Sequence, residues 1–330
     1  GIVRSLMASN KEYHINVKCK TVDAISAMVK VPSTHEPSYK VAPTVNFIPV
    51  NGLTSLKEAY NEYVIMGNGK TGIDAVLFLL DRGVNPSNIK WIISRDFWWF
   101  DRARIAPDKI FDWKMDTCTA IAEEKDADAI VERLHREKIL YKIHDDVDIR
   151  AFRCATITPQ ELNSVRRVTN CIRLGKVRRI DENGTIILEK GMVETSPTST
   201  LHVDCTACGI PRRPVMKVFK DENTIVLQSM ALCQSVWSAA VIAMVEANET
   251  EDDVKNSMTN VCPMPDTPEN WVHSYLTQIK NLVALKPHQK DLDGMRLKNV
   301  ATEWYFQRMW KGMTQFAPLL PTLLEKAEQF

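Results

Sequence analysis

Three glycines carry the main chemical signal of this 330-residue chain. Gly67, Gly69 and Gly72 are spaced G-x-G-x-x-G within the run Tyr-Val-Ile-Met-Gly-Asn-Gly-Lys-Thr-Gly-Ile-Asp of residues 63–74. Such a turn can cradle a pyrophosphate. Gly67 permits a tight turn off a strand, the missing Cβ of Gly69 lets backbone approach a phosphate, and Gly72 lets the following helix pack closely on the strand. The free N–H groups of that helix's first turn would face the phosphates, and the helix dipole favours their charge. Asn68, Lys70 and Thr71 complete the candidate cradle. The dipole disfavours a cation at Lys70, which makes better sense with an anion in the site. Gly69-Lys70-Thr71 imitates the end of a Walker A loop, but that motif requires glycine at position 64, where Val64 stands. The reading is a dinucleotide site rather than an ATPase site.

Other side chains offer weaker chemistry. Ser94-Arg95-Asp96 follows the next apolar run. An acid there would bond the ribose hydroxyls of NAD and an arginine would accommodate the 2′-phosphate of NADP, so Ser94 and Arg95 favour NADP while Asp96 keeps NAD open. The eight cysteines form no small disulfide framework and read as reduced thiols. Cys205 and Cys208 make a C-x-x-C pair with no second ligand pair, which argues against zinc. It ends a strand rather than opening a helix, which argues against a redox dithiol. His144 beside Asp145, Asp146 and Asp148 reads as an acidic surface turn, and no metal site is expected.

The elements that must position the glycines are legible around them. Residues 63–66 are apolar enough for a short buried strand, residues 73–80 suit a helix ended by Gly83, and residues 89–93 form a second apolar strand. Strand, glycine turn, helix and strand within about 30 residues is the context that strengthens the fingerprint. Phe97-Trp98-Trp99-Phe100 then reads as an aromatic packing cluster on a loop, with Arg102 and Arg104 beyond it.

Further from the turn, residues 13–20 alternate like a half-buried strand, residues 31–37 form a proline-bounded connector, and residues 45–50 another strand. Residues 116–138 are expected to be helical. Thr158-Pro159-Gln160-Glu161 is a helix-start signature and Asn183-Gly184 a hairpin turn. Residues 201–209 run as a strand into a small-residue turn. A short hairpin centres on residues 221–223. Residues 235–246 form a helix apolar nearly all round, so burial on every side is expected. Residues 267–285 form another capped helix, and 304–310 an aromatic helical segment.

Composition excludes some roles. A hydrophobic share of 45%, a charged share of 25% and a formal net charge of +1 suit a soluble globular protein and argue against nucleic acid or membrane surfaces as main partners. The most apolar run, residues 236–247, falls short of the roughly 20 residues that cross a bilayer. A cytoplasmic location is expected, with the natural N-terminus missing because the chain opens on Gly1.

Residues 64–75, Val-Ile-Met-Gly-Asn-Gly-Lys-Thr-Gly-Ile-Asp-Ala, resemble the NAD(P)-binding fingerprint of FAD/NAD(P)-dependent oxidoreductases. These flavoproteins carry two dinucleotide-binding folds and include flavin monooxygenases and pyridine nucleotide–disulfide reductases. Residues 89–96 and 201–209 are similar to the same group. The latter resembles the strand that returns to the FAD domain, with Asp204, Thr206, Ala207 and Gly209 in a turn against the flavin. The resemblance spans about residues 12–262 and implies an α/β protein. Residues 1–60 would be the remnant of an FAD-binding domain with its crossing strand. Residues 61–200 would be a Rossmann-like NAD(P)-binding domain with a helical insertion, and 201–330 the return to the FAD-type domain with C-terminal helices.

The implied activity is hydride transfer from NADPH (or NADH) to a flavin, serving a small-molecule substrate or electron acceptor, as in a monooxygenase. One departure matters: the family holds FAD on a second G-x-G-x-x-G, and the 12 glycines here offer no second candidate. The alternative reading is therefore an NAD(P)-binding sensor or complementing subunit without its own flavin. A flavin-free dehydrogenase ranks last, because no Tyr-x-x-x-Lys occurs and the histidines lack an evident partner. Apolar surface left bare where an FAD half would dock predicts poor solubility or dimerisation.

Overall fold

The computed structural model describes residues 1–5, 7–8, 10–25, 30–106, 109–207, 214–297 and 316–329. An exposed hairpin of β1 (Ile2–Arg4) and β2 (Glu12–His14) comes first, then β3 (Thr21–Asp23), β4 (Lys40–Val41) and β5 (Asn46–Pro49). The next run is β6 (Glu62–Met66), α1 (Lys70–Asp81), β7 (Ile89–Ile92) and β8 (Phe97–Asp101). Helices α2 (Ile110–Glu123) and α3 (Ala127–Arg136) lead through β9 (Leu140–Tyr141) to β10 (Ala151–Ile157), α4 (Pro159–Val165) and β11 (Cys171–Ile172). An antiparallel meander of β12 (Val177–Ile180), β13 (Ile186–Leu188) and β14 (Gly191–Val193) precedes β15 (Thr200–Asp204). The remainder is β16 (Phe219–Asp221), β17 (Thr224–Val226), α5 (Ser235–Asn248), α6 (Asp252–Met258), α7 (Pro268–Ala284), α8 (Gln289–Leu297) and α9 (Leu320–Gln329).

The protein is α/β. Its central sheet is parallel throughout, in the order β11-β7-β6-β15-β5. The middle strand β6 is buried on both faces, which is why its sequence is nearly all apolar. Successive side chains point to opposite faces, and two cores record it. Tyr63 and Ile65 join Ile73, Val76 and Leu79 of α1 and Leu162 and Val165 of α4. Val64 and Met66 join Tyr39 and the meander residues Ile180, Ile186 and Leu188. So helices cover one face and a β-meander covers the other.

Strand β8 behaves the same way. Phe97 and Trp99 enter the core under α1 and α4, whereas Trp98 and Phe100 enter a third core built from α2, α3, α7 and α9. The aromatic run is thus a buried strand between β10 and β9 and not a loop, because it is needed on both faces. In the third core Phe152 stacks on Trp271 at 4.7 Å, with Phe100 edge-on to both.

Several other expectations need correction. Residues 13–20 pair only as far as β2, which is exposed throughout; among the described residues no second layer covers it to bury the alternating face. The helix expected over 116–138 is two helices, broken before Asp126, whose side chain caps α3 by accepting from Ala129 N–H. Helix α5 is not buried all round: Val241, Ile242 and Val245 face the core while Val236 is 83% exposed. The expected local signals do form. Thr158 and Glu161 make the capping box of α4, and Thr267 caps α7 by accepting from Asn270 N–H. Gly184 turns the β12–β13 hairpin at φ +85°. The segment 304–310 lies outside the described residues.

His202 lies buried in β15, with Nδ1 3.1 Å from the Asn46 carbonyl and Nε2 2.9 Å from Thr195 Oγ1. Burial holds its pKa below the ordinary value, against the pull of the Asn46 carbonyl. The unfolded chain takes up a proton near about pH 6.5 that the folded chain resists, so this residue costs stability as pH falls through that point. Replacing His202 with Gln is expected to flatten the loss of stability between about pH 7 and 5. Urea midpoints at stepped pH check this, and an unaltered slope would refute it.

Candidate functional site

The candidate site lies where β6 and β15 end side by side. Chain leaves β6 toward β7 on one side, while its other neighbour, β15, arrives from much later in the sequence. Ligands of open α/β sheets bind in the crevice at such a switch point, beyond the carboxyl ends of the strands. The glycine turn occupies one wall and residues 205–207 the other.

The three glycines do different things. Gly67 adopts φ +110°, and a Cβ there would sit 2.9 Å from the Cys205 carbonyl oxygen of the opposite wall. Its N–H donates to Ile92 O at 3.0 Å, and its carbonyl accepts from Trp91 Nε1 at 2.9 Å. A Cβ on Gly72 would lie 2.1 Å from that same Gly67 carbonyl oxygen, so α1 packs on the turn only because residue 72 has no side chain. Gly69 differs: a Cβ there would meet nothing within 4 Å. It is the N-cap of α1, and no side chain caps the helix. The first-turn amides therefore have no intrahelical acceptor.

The flanking charges are already partnered. Lys70 pairs with Asp74 one turn along α1 and with Glu161 of α4 at 3.3 Å. This corrects the argument that Lys70 calls for a bound anion, since two carboxylates of the protein offset it. Glu161 also meets Arg102 at 3.2 Å and accepts from Thr158 N–H at 2.8 Å. Partial burial raises its pKa, but the Thr158 N–H and the Lys70 charge outweigh that and hold it below the ordinary glutamate range.

Beyond β7, Ser94 and Arg95 are exposed. Arg95 forms a two-pronged pair with Asp266, at 2.9 and 2.5 Å, and Arg153 meets the same carboxylate at 2.9 Å. Asn68 is buried and donates to the Arg95 carbonyl at 3.0 Å, tying the glycine turn to this loop. Asp96 is held by Arg173 at 2.8 and 3.1 Å, so its carboxylate is not free to meet a ribose.

On the opposite wall Asp204 is buried. It accepts from Thr206 N–H at 2.8 Å and Thr206 Oγ1 at 2.6 Å. The Tyr39 hydroxyl donates to Met66 Sδ at 3.6 Å, and burial together with the nearby Asp204 charge raises the tyrosine pKa, so it stays a phenol. Asp204 thus shapes the turn from within, while Thr206 and Ala207 face outward to different degrees. Gly209 lies outside the described residues, as does Cys208.

The structure brings residues 67–72 and 204–207 side by side at one end of the parallel sheet, with Arg95 joined to them through Asn68. Sequence reading missed Tyr39, Arg153, Arg173 and Asp266. No local signal marks them, since Arg95 and Asp266 are 171 residues apart and meet only through the fold. Glu161 was legible as a helix cap but not as the partner of Lys70 and Arg102.

No family model matches the chain, and no solved structure matches it. It is similar to uncharacterized proteins of Mycobacterium tuberculosis and Mycobacterium bovis, at 37% identity over 275 residues. That alignment covers 82% of this chain and 50% of each relative, so the chain spans about half the length of the curated relatives it matches. Among the described residues no helix is long and apolar enough to cross a membrane.

The glycine geometry separates fold from binding. Gly72→Ala is expected to cost about 1–3 kcal/mol or more, as an overpacked contact does, whereas Gly69→Ala should stay within about 1 kcal/mol of wild type. Chemical denaturation of both variants checks the contrast; equal destabilisation would contradict it.

Proposed function

We propose that this chain binds a nicotinamide dinucleotide, NADP in preference to NAD, on a Rossmann-like domain, and presents it for hydride transfer in an FAD/NAD(P)-dependent oxidoreductase. The observation that carries the reading is the open space over Gly69 at the uncapped start of α1, set at the switch point of a parallel sheet. That is what a pyrophosphate needs: amide donors, a favourable dipole end and no side chain in the way.

In this reading the amides of residues 69–72 hold the pyrophosphate. Asn68 fixes the spacing between the glycine turn and the loop after β7, where the adenosine ribose would lie. Arg95 meets the 2′-phosphate by exchanging Asp266 for it. Thr206 and Ala207 border the far side of the crevice, held in place by Asp204. The bound nucleotide supplies the hydride, and the protein supplies orientation and electrostatics. The described residues fit one dinucleotide. A second glycine cradle for an FAD pyrophosphate does not occur among them, so the residues named are assigned to the nicotinamide nucleotide alone.

A second reading, an NAD(P)-binding sensor or complementing subunit, draws on that single cradle and on the greater length of the relatives, half of which lies outside the alignment. Visible absorption of the purified chain mixed with FAD and then NADPH distinguishes the two. Bleaching of a protein-bound flavin band supports the oxidoreductase; NADPH binding without flavin binding supports the sensor.

Calorimetric titration tests the site itself. Gly69→Ala is expected to weaken NADPH at least tenfold, about 1.4 kcal/mol, without unfolding the protein. Unchanged affinity would reject the cradle. Arg95→Ala is expected to weaken NADPH by about 1.5–3 kcal/mol more than NADH. An equal loss for both would reject the 2′-phosphate role.

A further inference from the structure

Two arginines from distant parts of the chain meet on one carboxylate. Arg95 grips Asp266 with both ends of its guanidinium, and Arg153 Nη2 reaches Asp266 Oδ1 at 2.9 Å. Both arginine side chains are half-exposed, whereas that of Asp266 is mostly covered.

The members of this triad are mounted differently. Arg153 follows Phe152 on β10, and the Phe152 N–H donates to the Asp266 carbonyl at 2.9 Å. Phe152 also stacks on Trp271 of α7, a helix whose N-cap is Thr267, the residue after Asp266. Arg153 and Asp266 are therefore carried by one packed unit. Arg95 belongs instead to the loop after β7, and its carbonyl accepts from Asn68 beside the glycine turn. One ion pair lies within the packed unit, and the other joins that unit to the loop.

Charge and burial set the consequence. A mostly covered carboxylate costs free energy when its cation is withdrawn. Here a second cation is already in place on Oδ1. A guanidinium carries five N–H donors in a fork that fits both oxygens of a carboxylate, so Asp266 stays paired with Arg153 after Arg95 turns away.

We propose that Arg153 is a positioning residue for nucleotide selectivity: by holding Asp266, it lowers the cost of releasing Arg95 to a 2′-phosphate. This rests on the nucleotide reading above and adds to it a residue that does not touch the ligand. A phosphate monoester carries about −1.5 to −2 charge near pH 7, enough to draw an arginine from a carboxylate, whereas the neutral 2′-hydroxyl of NAD is not. Without Arg153, Asp266 depends more on Arg95 and keeps it. With Asp266 made neutral, Arg95 needs no release and Arg153 loses its influence.

Calorimetric titration of the whole chain with NADPH and NADH, which differ only in the 2′-phosphate, tests this as a double-mutant cycle. Arg153→Ala is expected to weaken NADPH about fivefold and to leave NADH within about twofold. Asp266→Asn is expected to strengthen NADPH, and adding Arg153→Ala to it should change that affinity by less than about twofold. Arg153→Lys keeps the charge and should retain most of the NADPH affinity, which separates loss of the cation from loss of the fold. An equal loss in both backgrounds would make Arg153 a direct phosphate ligand and overturn the proposal. So would a parallel loss for both nucleotides, as a merely structural role gives, or no loss for either. If wild-type protein binds neither nucleotide, the nucleotide reading fails and this inference with it; intact wild-type binding with the wrong pattern overturns this inference alone.

Discussion

The contact between Gly72 and the Gly67 carbonyl is the constraint on which the crevice depends. It lets α1 start directly against the end of β6, and the same carbonyl accepts the Trp91 indole of β7. One oxygen therefore ties strand, helix and neighbouring strand together at the turn. The amides beyond it are consequently fixed in direction before any ligand arrives. A ligand bound as proposed would spend little free energy on ordering the loop, as at any preformed site.

Electrostatics around the crevice are internally balanced rather than left open. Lys70 and Arg102 share Glu161, Arg95 and Arg153 share Asp266, and Arg173 holds Asp96. An entering anion must compete with these carboxylates. Arg95 is half-exposed, but its partner Asp266 is only 17% exposed and held by two arginines, so the pair is stronger than an isolated surface ion pair. At Asp96, whose side chain is only 9% exposed, exchange is harder. In the proposed reading the ligand would recruit Arg95 rather than a free acid.

Local patterns made the glycine turn, its flanking strands, the Thr158 and Thr267 caps and the Asn183-Gly184 hairpin legible, since each is decided by residues within a few positions of one another. What stayed hidden was decided at long range. Phe97 to Phe100 reads as a loop cluster in isolation because its alternation serves two cores, and neither is visible without the fold. Residues 13–20 carry the alternation of a half-buried strand, yet burial depends on a layer that does not cover them. Lys70 shows the same limit for charge: its cost at a helix start is local, but Glu161, which offsets it, is 91 residues away.

Strand β8 has a wider consequence. A segment that supplies Phe97 and Trp99 to one core and Trp98 and Phe100 to another is a party wall, not a linker. The helical part built on α2 and α3 could not be exchanged as a cassette, because its removal would strip one face of a strand whose other face roofs α1. The wall and both rooms must change together.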